Sequence, residues 1–364
     1  MVTPHLPPYQ AANALLPHTL GLELEKRGHR VSFLTFRADG PLRERTAYVK
    51  RRTAFRITRI PQILEAMETR RKALPLIQGA DLVHVHSNTW MNQVAARAAF
   101  SLGRPYVLTH YGTEIWHHDG RNRAFRTLNE HARHITFYSE ALLARARELR
   151  VPIREASVVY PAVELLFRPL RPAEREAIRA PLVSSDESLL FNVKRLHPLA
   201  DHATLLRAFA LLDPTSVRAK LVIAGSGEER DALERLANEL GVSNRVRFLG
   251  LVPNHEVAKL HAAADLFVLS SRLEATPTVV LEALACGTRV VSTDNPGGIE
   301  LGQMFPDDIR IVPRENPQAL ADGMVASLQE NRRVNERTSR LVDERFSLRG
   351  LVDRYCEIYE KILR

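Results

Sequence analysis

The sequence predicts an α/β protein built from two doubly wound domains with parallel sheets, and three observations carry that prediction. Short runs rich in Val, Ile and Leu alternate with helix-patterned stretches from one end of the chain to the other. Those runs are almost continuously apolar, the mark of strands buried on both faces and joined by right-handed helical crossovers. At 364 residues the chain also exceeds one ordinary core and suits two.

Taken in order, the strand runs of the first half are Arg30–Phe36, Leu82–His86, Tyr106–His110, His134–Tyr138 and Ser157–Tyr160, with helix-like segments at Ala14–Arg27, Met91–Leu102 and Glu140–Leu149. The second half repeats the scheme with Leu189–Val193, Lys220–Ala224, Val246–Leu249, Leu266–Leu269, Arg289–Thr293 and Ile309–Val312. Between them Pro161, Pro169 and Pro172 interrupt regular structure over Tyr160–Glu174, which reads as a hinge. The expected division is residues 1–165, residues 166–345 and a terminal segment 346–364, whose helix Leu348–Ile362 packs back onto the first domain. Sheets of this kind take ligands outside the carboxyl ends of their strands, so the two domains are expected to face each other across a cleft.

Composition excludes several classes. Hydrophobic content of 45% and charged content of 26% are those of a globular protein, not a disordered or fibrous one. Two cysteines, Cys286 and Cys356, make neither a disulfide framework nor a Cys-based zinc site. No apolar run reaches the roughly 18 residues of a membrane span, and no signal peptide pattern opens the chain. The expected setting is cytoplasmic. The net charge of +9 is concentrated in Pro41–Lys72, where ten basic residues stand against three acids, a net +7. Such a segment attracts nucleic acid, an anionic membrane or an acidic substrate, or it is simply a solvated face.

The strongest local signal runs from Leu266 to Glu300. A buried strand enters a loop, and Thr276-Pro277 suits the start of a helix, with Thr as N-cap and Pro in the first position. The free N–H groups and positive dipole end near Thr276–Val280 then offer a phosphate site. Glu274 precedes that start and Glu282 lies within the helix, placed so that both carboxylates can accept hydrogen bonds from sugar hydroxyls. Two Glu residues eight apart also arise by chance as a surface and a helix residue.

With these motifs on view, the chain resembles the family 4 retaining glycosyltransferases, with their GT-B architecture of two Rossmann-like domains. The family's Glu-x7-Glu pattern is met by Glu274 and Glu282, its following segment by Glu282–Val291, and its Gly-Gly turn by Gly297, Gly298 and Glu300. Leu221–Val252 resembles the family's strand, Gly-x-Gly turn at Gly225 and Gly227, helix and next strand. Glu25–Thr35, Asp81–Ser87, Thr109–Glu114, Phe137–Leu142 and Val158–Pro169 fall in the family's order.

The resemblance implies a donor site in the second domain and an acceptor site in the first. Glu282 binds the nucleotide ribose, Glu274 the donor sugar, and the backbone near Thr278 and Val279 the diphosphate. Arg195 neutralises the leaving phosphate, and His110 contacts the transferred sugar, although a buried structural histidine reads equally from its strand position. No metal and no cofactor are expected, since the nucleotide-sugar is a substrate and no His-Glu-x-x-His occurs. The implied acceptor is a saccharide or a lipid-linked sugar of a bacterial surface polysaccharide or glycolipid, with natural-product glycosylation also fitting. The Pro41–Lys72 charge would then serve an anionic membrane surface at the inner face, with no nucleic-acid role.

Three departures from the family stand out. Ala11 and Ala12 occupy the place of a Gly-Gly phosphate loop. Ala200 stands where a phosphate-binding Lys is usual, and Lys194 where Gly is usual, so either Lys194 supplies the missing charge from the other side or Arg195 acts alone. The first strand is short, Met1-Val2-Thr3 holding only its end, which reads as a chain beginning a few residues late.

Competing readings are a nucleotide-sugar epimerase or a phosphorylase of the same fold, separable by their need for an acceptor or for free phosphate. A glycosidase using the two Glu residues fits the helix start poorly. A basic nucleic-acid-binding protein lacks a helix-turn-helix, a zinc finger or an aromatic-rich basic strand. A dinucleotide oxidoreductase fails because Arg230 stands where the fingerprint after Gly225-x-Gly227 needs Gly or Ala.

Overall fold

A computed structural model describes residues 1–7, 12–36, 44–51, 60–118 and 120–364, divided into two compact units. The first unit comprises Met1–Pro161 and Leu351–Arg364, the second Ala162–Gly350.

In the first unit the chain runs through α1 (Ala12–Lys26), β1 (Phe33–Phe36), β2 (Thr46–Val49), α2 (Ile60–Gln78), β3 (Val83–His86), α3 (Trp90–Ser101), β4 (Tyr106–His110), α4 (Thr113–Trp116), α5 (Arg123–Glu130), β5 (His134–Phe137), α6 (Glu140–Glu148) and β6 (Ala156–Val158). All pairings are parallel, in the orders β1-β2 and β3-β4-β5-β6. Val2 forms parallel bridges to both Leu34 and Val85, so the stub around it joins the two ladders. Strands β3, β4 and β5 are buried at every position, as their continuous apolar runs predict. Helix α3 starts where Thr89 accepts a hydrogen bond from the Asn92 N–H, and its buried Ala95, Ala96 and Ala99 let it lie close over the sheet. Strand β2 was not foreseen. Its TAYV run is only partly buried and sits among arginines, so it lacks the apolar continuity that marks the others.

The second unit runs through α7 (Pro172–Arg179), β7 (Ser188–Val193), a short 3₁₀ turn (Pro198–Ala200), α8 (His202–Ala210), β8 (Ala219–Ala224), α9 (Arg230–Glu239), β9 (Val246–Gly250), α10 (Asn254–Ala263), β10 (Leu266–Leu269), α11 (Thr278–Ala285), β11 (Arg289–Thr293), α12 (Pro296–Met304), β12 (Ile309–Val312), α13 (Pro317–Gln329) and α14 (Glu336–Arg345). Its six strands form one parallel sheet in the order β9-β8-β7-β10-β11-β12. The chain winds outward from β7 on one side, then returns to β10 and winds outward on the other. The reversal between β7 and β10 is a topological switch point, where the loops after the two strands part and leave a crevice. Leu190, Leu221, Ile223, Leu266 and Val268 pack with Leu205, Phe209 and Met324 into the core beside it. Each such fully buried side chain contributes roughly 1.5–3 kcal/mol relative to exposure.

The last helix, α15 (Leu348–Leu363), contributes its residues from Leu351 onward to the first unit. A buried polar network ties it to the sheet: His84 Nδ1 is 2.6 Å from the Tyr359 hydroxyl, His84 Nε2 2.7 Å from Thr109 Oγ1, and Thr109 Oγ1 2.6 Å from Thr136 Oγ1. His84 therefore has partners on both ring nitrogens, and burial holds it neutral well below the usual histidine range.

Candidate functional site

The switch point of the second unit gathers several of the residues singled out from the sequence. Lys194 follows β7, and Glu274 lies in the loop after β10. Their side chains meet across the crevice with Nζ 2.7 Å from Oε1, both partly buried. The sequence offered each as a separate candidate; the strand order makes them a pair.

Gly225 explains how Lys194 is held. After β8 the turn bends back over the chain that follows β7, and a Cβ on Gly225 would lie 1.9 Å from the Lys194 carbonyl oxygen. Its φ of +136° excludes other residues as well. Gly227 is as tightly placed, 2.1 Å from the Leu196 carbonyl oxygen, while the Leu196 N–H donates to the Ser226 carbonyl at 3.0 Å. The Gly-Ser-Gly turn thus clamps the Lys194–Leu196 segment by backbone contact.

The Glu274 loop is pinned in the same way. A Cβ on Gly297 would fall 2.5 Å from the Ala275 carbonyl oxygen and 2.8 Å from Pro277 Cδ, and the Gly297 N–H donates to the Glu274 carbonyl at 3.1 Å. The Gly297-Gly298 pair is therefore the first turn of α12 packed on the loop, capped by Asn295, which accepts from the Gly298 N–H at 2.8 Å.

The expected helix start needs correction. Pro277, with ψ of 97°, is still extended and is itself the cap residue, so the helix opens at Thr278 and Thr276 lies a residue outside it. Proline at the cap has no side-chain acceptor, and the Val280 N–H is taken by the Pro277 carbonyl at 3.0 Å. The leading N–H groups are those of Thr278 and Val279, which have no acceptor a turn earlier within the helix.

Glu282 lies one turn into α11, its carboxyl hydrogen-bonded by the Thr278 side chain. Burial, reinforced by the Glu164 charge and opposed by Lys194 and Thr278, pushes its pKa up to about 7. His261 of α10 faces it, with Nε2 3.8 Å from Oε2. Neither Glu164 nor His261 was picked out from the sequence. Both reach Glu282 only through the tertiary fold, and no short-range spacing signals either.

Arg195 takes a different direction. Its guanidinium is exposed and stands 3.4 Å from Glu228, beyond the Gly-Ser-Gly turn, with His197 3.6 Å from the same carboxylate. Ala200 is buried in the 3₁₀ turn, its carbonyl accepting from Ser270 Oγ at 2.8 Å.

In the first unit, His110 ends β4 fully buried, its Nε2 2.8 Å from Asn129 Oδ1 and its Nδ1 3.7 Å from Glu114. Burial alone would raise the Glu114 pKa, but its bonds from His110 and the Tyr111 N–H carry it below the ordinary value. Ala12 opens α1, and Ala11 lies outside the described residues, as do Arg43, Arg52, Arg56 and Arg59 of the basic segment. A cavity of about 570 Å³ in this unit is lined by Val31, Ile77, Leu82, Val83, Tyr359 and Leu363. It lies at the amino ends of β1 and β3, opposite the end where parallel sheets take ligands.

Two doubly wound units with all-parallel sheets make the GT-B architecture. The chain belongs to glycosyltransferase family 4: residues 17–166 match the model of Glycosyltransferase Family 4, and residues 174–342 that of glycosyl transferases group 1. An uncharacterized glycosyltransferase of Methanocaldococcus jannaschii is 30% identical over 89% of this chain and 87% of its own length. N-acetyl-alpha-D-glucosaminyl L-malate synthase of Bacillus anthracis is 26% identical over 95% of this chain and 92% of its own. Anabaena HepE, solved in complex with UDP and glucose, shares the fold with a TM-score of 0.80 over 99% of this chain and 100% of its own, at 20% identity. Among the described residues no helix is long and apolar enough to cross a membrane.

Proposed function

We propose that this glycosyltransferase uses a nucleotide-sugar donor, retains the configuration of the transferred sugar, and needs no metal. The observation that carries the reading is the Lys194–Glu274 pair, 2.7 Å apart at the switch point, beside the opening of α11 and within the field of Glu282. Glu282 takes ribose hydroxyls, Glu274 the hydroxyls of the donor sugar, and the N–H groups of Thr278 and Val279 a phosphate. An ammonium has three donors, so Lys194 holds Glu274 and a phosphate oxygen together. Arg195, on a long exposed side chain, leaves Glu228 for the leaving phosphate. These cations and the helix dipole supply the charge stabilisation that metal ions give elsewhere.

In the transfer, the bond between the anomeric carbon and the diphosphate oxygen breaks while the acceptor hydroxyl oxygen bonds to that carbon on the same face. The hydroxyl proton passes to an oxygen of the leaving diphosphate. No protein nucleophile takes part; the chain orients the partners and stabilises the departing charge. The first unit takes the acceptor, with His110 on the sugar side.

A saccharide or lipid-linked acceptor is proposed from the surface of α2. Ile63, Leu64 and Met67 are exposed there, in line with exposed Arg70 and Arg71. An apolar stripe edged by arginines suits an anionic membrane, each cation adding about 1 kcal/mol near the surface. Sedimentation with vesicles tests it; equal binding to neutral and anionic vesicles in low and high salt overturns it.

The donor reading is tested by thermal stabilisation with UDP, GDP, ADP and TDP in the presence of chelator. One of them should raise the melting temperature, and turnover of the matching nucleotide-sugar should give an anomeric configuration equal to the donor's by NMR. Stabilisation by none of the four, or an inverted product, defeats the proposal.

A further inference from the structure

His261 stands apart from the other buried histidines. Among the described residues, His84, His86, His110, His134 and His202 each place a ring nitrogen within hydrogen-bond distance of a hydroxyl or amide partner. His261 is fully buried, and neither of its ring nitrogens has a partner. Its ring is enclosed by aromatic side chains, with centroids 5.0 Å from Phe191, 4.9 Å from Phe267 and 6.0 Å from Phe167. An imidazole in such a shell loses its water without compensation unless something polar comes to it. The acidic group that faces it is the Glu282 carboxyl, with Oε2 3.8 Å from Nε2.

We propose that His261 is the positioning residue of Glu282: its Nε2–H closes on the carboxylate once that group ionises, fixing the orientation in which the other lone pairs meet nucleotide hydroxyls and favouring its charged form. This rests on the reading of Glu282 as the residue that takes the ribose.

The geometry suits that role. Helix α10 packs against both α11 and β7, so the ring and the carboxyl sit on rigid elements. The terminal torsion of a glutamate is soft, and a modest turn brings Oε2 from 3.8 Å to hydrogen-bond distance. Burial holds the ring neutral, with its pKa down near 3, so it acts as a dipolar N–H donor and not as a cation. The groups facing Glu282 come from every side: Glu164 from the segment before α7, Lys194 after β7, His261 from α10, Thr278 on α11 itself and Cys286 just after it. Glu164 disfavours the ionised carboxylate and Lys194 favours it. His261 adds a donor that carries no charge of its own, so it stabilises the ionised form without competing for a phosphate.

The test is made on the whole protein. In the ligand-free wild type, ¹⁵N shifts of His261 should show the Nε2–H tautomer, and the ¹³C carboxyl resonance of Glu282, assigned by its loss in Glu282→Gln, should titrate. His261→Phe should move that titration midpoint upward by at least about half a pH unit, a roughly threefold fall in the ratio of ionised to protonated carboxyl. His261→Gln, which restores a side-chain N–H, should return it toward the wild-type value. UDP affinity should fall about twofold in His261→Phe at the wild-type midpoint and recover at higher pH. A Nδ1–H tautomer, or a midpoint unmoved or lowered in His261→Phe, overturns the proposal even if that variant melts at a higher temperature, as a purely structural histidine would have it. If the midpoint moves as stated but Glu282→Gln binds UDP as tightly as wild type, the contact stands and the ribose reading of Glu282 falls.

Discussion

Replacing Glu282 by Gln should stabilise the second unit above neutral pH while weakening nucleotide binding. The carboxyl has an ordinary pKa near 4.5 and is raised to about 7 in the folded chain, mainly by burial. A folded state that binds its proton more tightly than the unfolded one is stabilised at low pH, and the gain is lost as pH rises through that interval. The sign is therefore fixed: wild-type stability falls between about pH 4.5 and 7 on account of this group. At about 1.4 kcal/mol per unit the full effect is about 3 kcal/mol, of which about 2–3 kcal/mol falls between pH 5 and pH 8. Glutamine has nearly the same shape and does not titrate. The difference in melting temperature, variant minus wild type, should thus widen by about 5–10 °C from pH 5 to pH 8 for a unit of this size. Differential scanning calorimetry at those two pH values reads it, with 1 mM-range UDP added in a second series. A gap no wider at pH 8 than at pH 5 would refute the argument, because it would mean that Glu282 is ionised in the free protein at little expense. In the second series UDP should raise the wild-type transition and leave the variant's nearly unmoved. Stability and binding then move in opposite directions on one substitution, the pattern of a group buried for a ligand and not for the fold.

Three further outcomes follow from named contacts. Gly225→Ala puts a Cβ 1.9 Å from the Lys194 carbonyl at a φ of +136°, so it should destabilise by about 4 kcal/mol or more and reduce soluble yield; a melt within about 2 °C of wild type would show that the turn relaxes freely. Tyr359→Phe removes the hydroxyl 2.6 Å from His84 Nδ1 and should lower the urea-derived stability of the first unit by about 1–3 kcal/mol, whereas an unchanged midpoint would mean that His84 finds another partner. A double-mutant cycle of Lys194→Met and Glu274→Gln should give a coupling of about 1–2 kcal/mol in the apo protein, and additive losses would show that the 2.7 Å pair carries no energy.

Buried parallel strands were legible because their sequence leaves little else to do: LFVL at Leu266–Leu269, RVVST at Arg289–Thr293 and IRIV at Ile309–Val312 match the observed strands end to end. An apolar run bounded by turn residues is a local signal, and so is a glycine pair. What a glycine is for is not local. Gly225, Gly227 and Gly297 could be placed on turns from the sequence, yet each is glycine because a carbonyl from a distant segment comes within about 2.5 Å of its missing Cβ, which only the packed sheet decides. The site divides along the same line. Glu274 and Glu282 share one strand-loop-helix segment and could be found by spacing, whereas Lys194, Glu164 and His261 come from three other segments and join them only through the strand order that sets β7 beside β10. The misplaced cap at Thr276 has the same origin. Thr-Pro is a sound helix opening by local rules, but the loop pinned by Gly297 leaves Pro277 itself extended, and the helix begins only after Pro277. That shift of a residue brings the N–H groups of Thr278 and Val279 to the front of α11, beside the Thr278 hydroxyl that bonds Glu282. Phosphate and ribose contacts would then be set by a single backbone turn, whose position depends on a glycine twenty residues further along the chain.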